Sequence, residues 1–228
     1  MKFLLCLCFF IVLGVTQNSG KVEKRIALKR VVRNTIGEFT YSHYNRLKTL
    51  LVRNCVVNGF TNIENDLQKT FKELETCVLK KKLLVDNKDD YIKNMEDCSQ
   101  EPIKAVKNCL SKKKGYLPNF LLNMARKQVE LIYDDREIIN MYLAPCTEVF
   151  ESFVVAYKYR RCLVETSKRT NDTEIFADSV ETFCSRYLPS IYCLTDIINE
   201  VCSQDPKLKQ YIEDHIKAKK YPCEQKYD

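Results

Sequence analysis

The sequence predicts an all-α protein, a bundle of several helices stapled by disulfides, and three observations carry that expectation. Turn residues are sparse: beyond the leader only Gly20, Gly37, Gly59 and Gly115 occur, and the first proline is Pro102. A β-sandwich of this size would need turn signals every ~8–12 residues. Apolar residues recur instead at three- and four-residue steps, the period of a helix face. Ten cysteines follow the leader, an even number in a chain that reads as exported.

The opening MKFLLCLCFFIVLGVTQ sets one cation, Lys2, before an uncharged apolar block from Phe3 to Leu13, then small and polar residues. That is the pattern of a secretory signal peptide, assigned to residues 1–20 and cut between Gly14 and Gly20. The block is shorter than the ~18 apolar residues of a spanning helix, and no later stretch approaches that length. A secreted, extracellular protein with no transmembrane segment is therefore expected. Residues 21–37 form a basic arm. Its segment KVEKRIALKRVVR (21–33) holds six cations against the single anion Glu23, and so carries most of the formal net charge of +7. One meaning is a solvated tail, or one trimmed after the dibasic pairs Lys24-Arg25 and Lys29-Arg30. The other is weak contact with an anionic surface, lipid or sulfated sugar. Nucleic acid is not an expected partner outside the cell.

Residues 38–228 are expected to form one disulfide-rich helical domain. After Gly59, Thr61 and Glu64 read as a capping box, and Ile63, Leu67, Phe71, Leu74 and Val78 follow on one face. Leu117, Leu121, Met124 and Leu131 repeat the pattern, as do Val149, Phe150, Phe153, Val154 and Tyr157. Such stripes line a core more often than a ligand pocket. Three related words punctuate the chain: CSQEP (98–102), CSRYLP (184–189) and CSQDP (202–206). In the last, Asp205 is a good N-cap and Pro206 suits the first helical position, where its missing N–H costs nothing. CSQEP is read the same way, with Pro102 opening IKAVKNCL, so each word is expected to mark a helix–turn–helix corner with a cysteine at its hinge. The final helix, KLKQYIEDHIKAKK, sets Leu208, Tyr211, Ile212 and Ile216 on a narrow apolar face.

The mature cysteines are Cys55, Cys77, Cys98, Cys109, Cys146, Cys162, Cys184, Cys193, Cys202 and Cys223, expected to pair as five disulfides. Their spacing contains an echo: Cys77-x20-Cys98-x10-Cys109 resembles Cys162-x21-Cys184-x8-Cys193, an offset of 84 to 86 residues. One reading is two related helical halves, roughly 38–115 and 116–200, followed by a C-terminal helix clamped by Cys202 and Cys223. No C-x2-C pair occurs and only His43 and His215 are available to supplement thiolates, so no metal site is expected.

Catalytic patterns are absent: there is no G-x-S-x-G, no H-E-x-x-H and no phosphate-cradling glycine loop. His215 sits in EDHIK, where an exposed helical position is the natural expectation. Asp134 and Asp135 are adjacent carboxylates that point to different sides of a helix and are expected to face solvent. A non-enzymatic protein without a cofactor is the reading. Asn171-Asp172-Thr173 is the one glycosylation acceptor, placed in the polar stretch ETSKRTNDTE.

Two segments resemble the insect 27 kDa hemolymph glycoproteins. NCVVNGFTNIENDLQKTFKELETCV (54–78) is similar to that family's first cysteine, glycine-containing turn, amphipathic helix and second cysteine. CSRYLPSIYCLTDIINEVCSQDPKLKQYIEDHIKAKKYPC (184–223) is similar to its three closely spaced cysteines, helix and terminal Pro-Cys. The central third departs, with only Cys98 and Cys109 where the family has a cysteine triplet. The resemblance implies a product released into body fluid with no enzymatic role. Cys184-x8-Cys193-x8-Cys202 also resembles the odorant-binding proteins, although their C-x3-C is absent, and this implies a carrier of small apolar ligands. A third reading is a secreted effector or inhibitor acting on a host or surface protein.

Overall fold

The computed structural model describes residues 49, 51–60, 63–139, 141, 153–168, 176–202 and 205–227. The leader, the basic arm, His43, Thr61, Cys146, Val149, Phe150 and Asn171 lie outside the described residues. Among the described residues every regular element is helical, so the all-α expectation holds. A helical segment at 51–57 ends at Gly59, whose φ of +95° is the left-handed conformation that glycine adopts without strain. There the Gly59 N–H donates to the Val56 carbonyl at 3.0 Å and the Phe60 N–H to the Cys55 carbonyl at 3.1 Å, the paired bonds of a Schellman stop.

Six longer helices follow. α1 spans Ile63–Val78 and α2 Lys88–Cys109, the latter capped by the Asn87 side chain accepting from the Asp89 N–H at 2.9 Å. α3 runs Leu117–Asp134 with Pro118 in its first turn, where a proline costs no hydrogen bond. α4 spans Phe153–Lys168. α5 spans Val180–Val201 and is capped by the Ser179 hydroxyl accepting from the Thr182 N–H at 3.2 Å. α6 runs Pro206–Lys220, capped by Asp205 accepting from the Lys207 N–H at 2.8 Å, as the sequence predicts. A short 3-10 turn, Tyr221–Glu224, closes the chain.

The repeated word is a corner only once. Pro102 lies buried inside α2, and Pro189 lies inside α5, so CSQEP and CSRYLP are mid-helix segments and not hinges. An interior proline forfeits one hydrogen bond and costs about 3 kcal/mol. In α2 that cost is opposed by an unbroken inner face, Met95, Ser99, Pro102, Val106 and Cys109, which stays buried on both sides of the ring. In α5 the same role falls to Phe183, Tyr187, Ile191 and Ile198. At CSQDP the short Asp205 side chain offers the backbone a cap instead, and the chain turns.

α3 is the axis of the packing. Its Leu117, Phe120, Leu121 and Met124 enter a central cluster with Leu67 and Phe71 of α1, Val106 of α2, and Phe183, Tyr187 and Ile191 of α5. Ala125, Val129 and Ile132 join Tyr91, Ile92 and Met95 of α2 in a second cluster, and Leu131 joins Leu208, Tyr211 and Ile212 of α6 in a third. The stripes read for α1 and α3 are thus core. Phe120 and Phe183 meet edge-on at 4.9 Å between ring centroids, the favoured geometry for an aromatic pair. α4 is the exception: it packs on α5 and buries Val155 and Leu163, while Val154 and Tyr157 are 61% and 57% exposed. The expected stripe is therefore displaced by one residue around the helix, because the face that reaches α5 is the one carrying Cys162.

Four disulfides have both sulfurs among the described residues. Cys55–Cys109 ties the 51–57 segment to the end of α2, and Cys77–Cys98 ties α1 to α2. Cys162–Cys193 ties α4 to α5, and Cys184–Cys223 ties α5 to the closing turn. Cys202 is also disulfide-bonded. The pairing does not follow the cysteine echo, since Cys77 takes Cys98 while its counterpart Cys162 takes Cys193 rather than Cys184.

Candidate functional site: an ion-paired groove between α2 and α3

An open groove of about 460 Å³ runs between α2 and α3, lined by Lys88, Asp89, Ile92, Lys93 and Glu96 from one helix and Arg126 and Glu130 from the other. Asp89, Ile92, Lys93 and Glu96 share one side of α2 by helical spacing. Cross-helix ion pairs fasten both ends: Lys88 Nζ lies 2.8 Å from Asp134 Oδ1, and Arg126 Nη1 lies 3.2 Å from Glu96 Oε1. Arg126 Nε also donates to Glu130 Oε1 at 3.0 Å, and Lys127 Nζ to the other Glu130 oxygen at 2.5 Å. Burial opposes ionisation of Glu130, but the hydrogen bonds from Lys127 and Arg126 outweigh it and hold the carboxyl below its usual range. The hydrogen bond to Asp134 holds the Lys88 ammonium above its ordinary value. Alternating cations and anions around one apolar residue, Ile92, suit a partner that also presents both signs of charge. A second open groove of about 330 Å³ lies along α1, lined by Lys69, Lys72, Glu73, Thr76, Cys77 and Lys80. Both grooves are open to solvent, and most of the side chains that line them are charged.

His215 is not where the sequence reading placed it. It is buried, 4% exposed, on the inner face of α6, and neither ring nitrogen has a hydrogen-bond partner among the described residues. Burial, reinforced by the nearby Lys219 cation, pushes its pKa down to about 3, so the ring is neutral. Lys219 is itself buried at 1% exposure. The signal is in the spacing: Leu208, Tyr211, Ile212, His215 and Lys219 fall at three- and four-residue steps on one face, so the polar members share the buried stripe with the apolar ones. The Asp134–Asp135 pair divides. Asp134 is exposed and holds Lys88, whereas Oδ2 of Asp135 is buried with no hydrogen-bond partner among the described residues. Burial first, then the charges of Asp214 and Asp134, raise the Asp135 carboxyl above its usual value.

Nine of the ten predicted cysteines, all but Cys146, lie among the described residues and are disulfide-bonded, and the four bridges described there fasten separate elements rather than gather at a site. No group of His, Cys, Asp and Glu suited to a metal ion occurs among the described residues. No helix among them is long and apolar enough to cross a membrane. No family model, curated protein or solved structure matches the chain.

Proposed function

We propose that the chain works outside the cell as a non-enzymatic helical protein of the hemolymph-glycoprotein type, acting by binding a partner in body fluid or secretion. The observation that supports it best is the disulfide frame. Four cross-links join different elements of a chain whose first residues read as an export leader, and such bridges persist in oxidising compartments. Each typically stabilises by about 2–5 kcal/mol, so the frame would hold a charged surface rigid without a cofactor or a large core. The ion-paired α2–α3 groove is the surface we assign to binding, with a protein segment of mixed charge as its partner.

The reading is tested by expressing the full chain in secreting eukaryotic cells and analysing the medium by native mass spectrometry under non-reducing conditions. The expected result is a leaderless protein in the medium with ten oxidised cysteines and a glycan on Asn171. Retention in the cell with free thiols contradicts it, and a co-purifying lipid would favour the apolar-ligand carrier instead.

A further inference from the structure

The turn that ends the 51–57 segment exposes apolar side chains that the core does not use. The segment buries Leu51, Val52 and Cys55 and leaves its outer side to solvent. Val57 is 77% exposed and Phe60 42%, and Val56 is exposed beside them. No atom lies within 4 Å of where a side chain on Gly59 would begin, so the turn projects into open space. It is nevertheless held in place. Asn58 Nδ2 donates to the Cys109 carbonyl at 2.8 Å, and Cys55 is bonded to Cys109 with the two Cα atoms 4.8 Å apart.

Those two ties set the turn against the C-terminal end of α2, next to the lysine-rich 3-10 turn Lys112–Lys114. Both segments carry charge of one sign. No Asp or Glu occurs from 49 to 63, which contains Arg53, nor from 102 to 129, which contains Lys104, Lys107 and the three lysines of the turn. Asp178 reaches this region and is shared by Lys113 and Lys114, at 3.3 and 3.9 Å. Arg53, Lys104 and Lys112 are exposed. The result is an apolar tip with cations around its base.

Size decides what such a tip fits. A stable protein interface buries ~800 Å² on each partner, and three side chains on one turn offer a fraction of that. A bilayer surface asks for less, because a few apolar side chains can pass into the headgroup–acyl boundary while Lys and Arg beside them meet anionic headgroups. We propose that the turn at 56–60 is a docking tip for an anionic lipid surface, with Val57 and Phe60 entering the boundary and Arg53 and Lys112 meeting the headgroup anions. The tip is separate from the α2–α3 groove, whose nearest residue on α2, Glu96, precedes Cys109 by ~20 Å of helix. It goes beyond the groove reading and stands without it.

The chain contains no tryptophan, so Phe60→Trp in oxidised protein comprising residues 21–228 puts a single fluorescent reporter on the tip. With vesicles of equimolar phosphatidylserine and phosphatidylcholine its emission should shift to the blue and be quenched by bromine carried on the acyl chains. Vesicles of phosphatidylcholine alone should cause neither change. Val85→Trp reports from an exposed position beyond the far end of α1, ~24 Å of helix away, and should stay unshifted. Val57→Asp, at a site exposed enough to leave the fold intact, should weaken vesicle binding about tenfold in co-sedimentation. Co-sedimentation without a shift from the Phe60→Trp reporter would put the contact on the basic arm and overturn the proposal, as would full binding by Val57→Asp. A blue shift that grows with protein concentration in the absence of vesicles would make the tip a contact between copies of the chain, and overturns it too.

Discussion

At the scale of single residues, the fold is most exposed to change where polar groups are buried. His215 has an ordinary pKa near 6.5 in an unfolded chain and about 3 in the folded one. Its pKa is depressed by folding, so between those values the unfolded state takes up a proton that the folded state refuses. Stability is therefore full above about pH 6.5 and declines as pH falls toward 3, by about 2 kcal/mol at pH 5 from this group alone. Replacing His215 by Leu should remove that share of the slope, measured by urea unfolding at pH 7.5 and 5. Parallel pH dependence in the two proteins would show that the ring is not buried neutral. A second residue-scale case is Leu84, which holds a φ of 62°, a conformation that costs a branched side chain ~1–2 kcal/mol. Tyr133 at the end of α3 clamps it, its hydroxyl accepting from the Leu84 N–H and donating to the Asp86 carbonyl, each at 3.1 Å. Tyr133→Phe should cost ~1–2 kcal/mol and speed hydrogen exchange at Leu84. Unchanged exchange there would mean that the loop holds its own shape.

At the scale of elements, the corner at CSQDP and the straight helix through CSQEP make opposite forecasts for similar residues. Asp205→Ala removes the cap of α6 and should destabilise by about 1 kcal/mol. Glu101→Ala, at an exposed position inside α2, should change stability by less than ~0.5 kcal/mol. Equal effects in denaturant titration would return CSQEP to the status of a corner. The contrast also shows what the sequence reveals and what it hides. Caps and stripes are local, so Asp205, Pro206, and the inner faces of α1 and α3 could be read directly. Whether a proline breaks a helix depends on how much surface is buried on either side of it, which is a tertiary fact that CSQEP does not contain. The same holds for α4, where Cys162 had to find Cys193 before the buried face could be known. It holds too for the groove, because Lys88 and Asp134 are 46 residues apart and meet only when α2 and α3 pack. The α6 helix adds a test of tethering. It is fifteen residues long, marginal alone in water, and its exit is held by Cys184–Cys223. Cys223→Ser should speed hydrogen exchange across 207–222 while α1 and α2 keep their protection.

At the scale of the whole molecule, α3 takes part in three apolar clusters, two of which join residues from both halves of the chain, and the disulfides bind the surrounding helices to one another. Leu67 of α1 and Ile191 of α5, far apart in sequence, share the central cluster. A rigid helical body is what the extracellular reading requires, and the cross-links are its most direct signature. The decisive measurement is peptide mapping of the unreduced protein recovered from the medium of secreting cells, with iodoacetamide added under denaturing conditions. The account predicts no labelled thiol and the cross-linked peptides Cys55–Cys109, Cys77–Cys98, Cys162–Cys193 and Cys184–Cys223. Two or more labelled thiols, or a Cys162–Cys184 bridge following the sequence echo, would contradict it.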